Sequence, residues 1–108
     1  MAKHKFEIWQ TDDRNRLFTS ARVLKAVGMR PVKDKSYKKI YEGEIDSDGT
    51  DENVLDEIFS KYQSVKPEGY SGRSVSVSDM ITLDGKTFFT DSFGFKRLSK
   101  SAAAGSNG

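Results

Sequence analysis

Asp84-Gly85 stands between two β-prone runs, Met80-Ile81-Thr82-Leu83 and Lys86-Thr87-Phe88-Phe89-Thr90. A two-residue loop of this kind favours a type I′ turn, which needs positive φ at both central positions, and Asp-Gly meets that demand with little strain. The turn fixes a register. Leu83 opposes Lys86, Thr82 opposes Thr87, Ile81 opposes Phe88 and Met80 opposes Phe89, with Asp79 facing Thr90 and Ser78 facing Asp91 beyond them. One face then carries Ser78, Met80, Phe89 and Asp91, and the other Asp79, Ile81, Leu83 and Phe88. Both faces are partly apolar, so the hairpin is expected in the interior of a sheet and not at its rim.

The rest of the chain alternates strand and helix signals. Residues 5–10 alternate, with Phe6 and Ile8 on one side and Glu7 and Trp9 on the other. Trp9 has polar neighbours at Glu7 and Thr11, which leaves it under a loop or exposed. Ser20 is a candidate N-cap for a short helix over 21–27, with Val23, Leu24 and Val27 on one face and Gly28 as its stop. Residues 37–45 alternate again, although Ile40 and Ile45 share a side only if a bulge near Gly43 shifts the register. Thr50 caps a second helix over 51–62, where Val54, Leu55, Ile58, Phe59 and Tyr62 form an apolar stripe. Phe93 and Phe95 flank Gly94 and read as one buried aromatic face of a strand.

The order β-α-β-α-β-β predicts an α+β domain, a mostly antiparallel sheet with both helices on one face. With 108 residues, 12 of them aromatic (7 Phe, 4 Tyr, 1 Trp), the chain can build one modest core. We expect a single domain over 1–98 and, in the small polar residues 99–108, a disordered tail or a remnant of expression engineering. There is no cysteine, which excludes disulfides and thiol chemistry. No apolar run approaches a membrane span or a secretory signal, and the expected location is the cytoplasm.

A net charge of +2 conceals strong segregation. Arg14, Arg16, Arg22, Lys25, Arg30, Lys33, Lys35, Lys38 and Lys39 are interrupted by one acid, Asp34. The following stretch holds Glu42, Glu44, Asp46, Asp48, Asp51, Glu52, Asp56 and Glu57 and no base. The first block reads as a surface for nucleic acid or a ribonucleoprotein, with Arg30, Lys33, Lys35, Lys38 and Lys39 on phosphates and Tyr37 and Tyr41 as stacking partners. The second reads as an alternative contact face, Asp51, Glu52, Asp56 and Glu57, suited to a basic groove on a partner. The plainer reading of both is a solvated surface. A calcium loop starting at Glu44 fails, because Leu55 falls where the bidentate Glu belongs. No metal or other cofactor is expected.

Ser74, Ser76, Ser78, Asp79, Asp91 and Ser92 form the other candidate cluster. A hydrolase would pair Ser78 with Asp91 across the hairpin, but the sole histidine, His4, lies in the N-terminal arm. Short polar side chains at strand ends more often bind nearby backbone, and no catalytic residue is assigned.

The string 74–79, Ser-Val-Ser-Val-Ser-Asp, followed by the hairpin and Asp91-Ser92-Phe93-Gly94-Phe95, resembles the YodL-like domain found in proteins of plasmids, integrative elements and phages. The segments "FEIWQ", "RLFTSARVLKAVGM", "YKKIYEGEI" and "VLDEIFSKY" occur in that family's order, and the likeness spans about residues 5–98. The resemblance implies a mobile-element protein without implying a reaction. Together with the missing catalytic constellation, it leads us to expect a counter-defence inhibitor that binds a host nuclease or ribonucleoprotein, of anti-CRISPR or anti-restriction type. The alternatives are a nucleic-acid-binding accessory module for element transfer or replication and, third, a small hydrolase or nuclease.

Overall fold

In the computed structural model, which describes residues 2–103, the predicted hairpin lies inside a five-stranded antiparallel sheet of order β2-β1-β3-β4-β5. The strands are β1 (Lys3–Thr11), β2 (Tyr37–Asp46), β3 (Met80–Leu83), β4 (Lys86–Thr90) and β5 (Phe95–Arg97). The helices are α1 (Ala21–Ala26), α2 (Asp51–Ser64) and α3 (Lys100–Ala103). Asp84 (φ 50°) and Gly85 (φ 82°) both occupy the left-handed region, as the type I′ turn requires. The register from Met80↔Phe89 to Leu83↔Lys86 is the expected one. β1 pairs with the other side of β3, Ile8 facing Ile81, so β3 is the central strand.

The α+β class and antiparallel sheet are as predicted, but the helices do not share a face. Neighbouring side chains on a strand point to opposite sides. Ile81, Leu83 and Phe88 pack with Phe6, Ile8 and the α2 residues Val54, Leu55, Ile58 and Tyr62. Met80 and Phe89 pack on the other side with Leu24 of α1, Val32, Tyr37, Leu98 and Ala102 of α3. A hairpin apolar on both faces needs cover on both, and α2 covers one while α1 and α3 cover the other.

The bulge in β2 falls at Ile40, and not near Gly43. Ile8 pairs with Tyr41 and Trp9 with Lys39, so Ile40 is the extra residue. It places Ile40 and Tyr41 together on the α2 side, while Tyr37 faces the α1 side. Thr50 and Ser20 cap α2 and α1 as expected, each side chain accepting a backbone N–H three residues on. The apolar face predicted for α1 is only Leu24, because Val23 and Val27 are exposed. A six-residue helix turns too little surface to the sheet to bury three side chains.

Two expectations for the C-terminal end are corrected. Phe93 is 97% exposed on the β4–β5 turn, where Gly94 at φ 78° reverses the chain before β5 begins at Phe95. Lys100–Ala103 is helical, with Ala102 buried and its carbonyl accepting the Lys33 N–H at 2.9 Å. The packed chain thus continues past residue 98. The rest of the predicted tail, 104–108, lies outside the described residues.

Candidate functional site

The polar motif before β3 is built into the fold. Ser78 is fully buried at φ 82° and marks the point where the chain enters the hairpin. Its N–H donates to the Thr90 carbonyl (2.9 Å), its carbonyl accepts the Tyr37 hydroxyl (2.8 Å), and its Oγ accepts the Phe18 N–H (3.0 Å). Asp79, also fully buried, accepts from Arg73 Nη2 on Oδ1 (2.7 Å) and from Gln10 Nε2 (3.0 Å) and the Ser76 N–H (2.8 Å) on Oδ2. Burial pushes its carboxyl up to about 6, against the opposing pull of Arg73 and these hydrogen bonds.

Gln10 closes the network by accepting the Arg73 N–H (3.1 Å) and donating to the Arg73 carbonyl (2.8 Å). Gly72 permits the approach, since a Cβ there would stand 2.3 Å from Gln10 Oε1 and 2.8 Å from Ile40 Cδ1.

Asp91 does similar work just beyond β4. Its Oδ1 accepts the N–H groups of Ala21 (3.1 Å) and Ser92 (2.8 Å), and its own N–H donates to the Gly94 carbonyl (3.0 Å). It thereby ties the start of α1 to the β4–β5 turn. Ser92 is exposed and Phe95 is half-buried, its ring edge-on to Phe59 of α2. Ser74 and Ser76 line a surface groove beside Arg73 and Phe18. His4 sits at the opposite end of β3 from Ser78. Its Nδ1 lies 2.5 Å from Asp84 Oδ2 and its Nε2 3.1 Å from the Ser47 carbonyl, so both ring nitrogens face acceptors.

The basic block does not present its tyrosines. Tyr37 is buried beneath β3, and burial holds its phenol far above the usual range, leaving it a hydroxyl donor to Ser78. Tyr41 packs on the α2 face among Phe6, Tyr62 and Tyr70. The bulge at Ile40 turns one to each core, Tyr37 buried and Tyr41 half-buried. Lys39 bridges Glu7 (3.6 Å) and Glu42 (3.4 Å), Arg16 pairs with Asp34 (3.2 Å), and Lys33 Nζ lies 3.8 Å from the centre of the half-buried Trp9 ring. Lys35, Lys38 and Arg30 are exposed.

Arg14, Arg22 and Lys25 are exposed too, and the acidic stretch is comparably open. Glu42, Glu44 and Asp46 are exposed on β2, an edge strand of the sheet. The chain then turns into α2, and Asp46, Asp48, Asn53, Asp56 and Glu57 surround an open groove of about 560 Å³. Asp51 pairs with Lys86 and is not free for a partner. Among the described residues, Glu44, Asp46, Glu52, Asp56 and Glu57 form no ion pair. No group of three or more metal-ligating side chains converges among the described residues, and no helix there is long and apolar enough to cross a membrane.

An antiparallel α+β sheet, pinned on both faces by a buried Ser-Asp motif, is the class of domain this geometry defines. The family model for the YodL-like domain matches residues 5–100, and the chain belongs to that family. Comparison with curated proteins and with solved structures found no match.

Proposed function

We propose that this protein is a non-catalytic inhibitor that docks its acid-lined edge into the basic nucleic-acid groove of a host nuclease or ribonucleoprotein. The observation that carries the reading is the run of exposed carboxylates, Glu44, Asp46, Glu52, Asp56 and Glu57, that no cation of the described residues neutralises. A surface of one sign steers association with a surface of the other and suppresses wrong partners. The internal engagement of Ser78, Asp79 and Asp91 supports a binding role over a hydrolytic one. In this reading the protein belongs to a mobile element and acts in the cytoplasm, as an anti-restriction or anti-CRISPR factor. The nucleic-acid accessory reading through the basic block has less support, because Tyr37 and Tyr41 are turned inward.

Entry of unmodified plasmid DNA into restricting or CRISPR-immune hosts tests the proposal. Expression of the protein should raise transformation efficiency at least tenfold in one such host, and the triple variant Asp46→Lys, Asp56→Lys, Glu57→Lys should abolish the gain. Full relief by the triple variant, or none by the parent protein in any host, sinks the reading.

A further inference from the structure

Phe18 combines two anomalies. It is a bulky side chain at φ 59°, a region such residues rarely adopt, and it is 57% exposed. Its conformation is imposed from both sides. The Phe18 N–H is held by Oγ of buried Ser78, itself at φ 82°. The preceding turn is closed by the Leu17 N–H on the Asp13 carbonyl (2.8 Å), and the following one by the Thr19 N–H on the Arg16 carbonyl (3.1 Å). Folding therefore holds a strained aromatic ring at the surface, the kind of outlier that marks a functional position.

The ring's surroundings select a ligand chemistry. Arg73 places its guanidinium 5.1 Å from the Phe18 ring centre, and its ion pair with the buried Asp79 fixes that guanidinium in place. Phe18, Arg73, Gln63, Lys66, Ser74 and Ser76 line one open groove of about 490 Å³, with two cations and no carboxylate on its wall. It lies at the C-terminal end of α2, whereas the acid-lined groove lies at the N-terminal end. An anion with a flat apolar part satisfies both halves of this wall. The aromatic face offers stacking, while Lys66 and the exposed part of Arg73 offer charge.

We infer that the Phe18–Arg73 groove binds a nucleoside phosphate, its base stacked on Phe18 and its phosphate held by Lys66 and Arg73. The site is separate from the acidic edge and does not depend on the inhibitor reading. It also gives the buried motif a purpose, since Ser78 sets the ring and Asp79 sets the guanidinium.

The test uses the whole chain, with adenosine monophosphate, an eight-nucleotide oligoadenylate and inorganic phosphate as ligands in calorimetry. Adenosine monophosphate and the oligonucleotide should each bind at least tenfold tighter than phosphate. Equal affinity for the two would assign the site to free nucleotides, and a preference for the oligonucleotide to single strands. Phe18→Gly should leave the melting temperature unchanged or raise it, since glycine accepts φ 59° without strain, yet weaken both nucleotides about tenfold or more. Lys66→Glu should weaken binding in low salt and lose its effect in high salt. No binding, phosphate binding as tightly as the nucleotides, or an unchanged affinity in Phe18→Gly would each overturn the inference. So would a change in oligomeric state in Phe18→Gly with nucleotide affinity intact, which would make the groove a contact between copies.

Discussion

Asp79 carries an unusual linkage for a residue paired with arginine. Its folded pKa of about 6 lies above the ordinary 3.8, so the folded state holds the proton more tightly than the unfolded chain. Its contribution to stability is greatest below about pH 4 and declines as pH rises toward 6, by about 3 kcal/mol at most. Chemical denaturation from pH 4 to 6.5 should show this slope, and Asp79→Asn should flatten it. The His4–Asp84 pair acts in other windows. The hydrogen bond that His4 donates to Asp84 raises His4 above 6.5, so its contribution is full below that pH and is lost as pH rises through the folded value. His4 in turn lowers Asp84 below 3.8, so that contribution is lost only in stronger acid. The alkaline-side loss should vanish in His4→Gln. Single residues were the least legible part of the sequence. Gln10 and Arg73 lie 63 positions apart, and nothing local marks either as the other's partner. The alternation of Phe93 with Phe95 mimics a strand, while Gly94 ends it with a turn.

At the scale of elements, legibility followed how locally each was determined. The hairpin was readable because its turn chemistry and alternation agree, and α2 because its N-cap and apolar stripe agree. Gly85→Val should cost more than about 1 kcal/mol in urea denaturation, a β-branched residue being strained at φ 82°. Thr50→Ala should cost about 1 kcal/mol through loss of the bond to the Asn53 N–H. The division of the helices between two faces was not readable, because the hairpin pattern says that both faces need cover and not which helix covers which. The bulge in β2 was signalled by the mismatch of Ile40 and Ile45. Its position was not, since pairing with β1 decides it.

For the molecule as a whole, folding partly neutralises both charged stretches, through Arg16 with Asp34, Lys39 with Glu7 and Glu42, and Asp51 with Lys86. The two proposed working surfaces lie at the two ends of α2, while Ser78 and Asp79 of the family motif are buried between the sheet and its covers. Neither buried residue belongs to the acid-lined edge. Ser78→Ala removes the acceptor of the Phe18 N–H and should lower stability by about 1–3 kcal/mol in urea denaturation. The most direct test joins that stability measurement to restriction relief, scored at a temperature where the variant remains folded. The account predicts a lowered melting temperature with relief of DNA entry retained. A Ser78→Ala protein of normal stability that has lost all relief would place the motif in the chemistry and contradict the account.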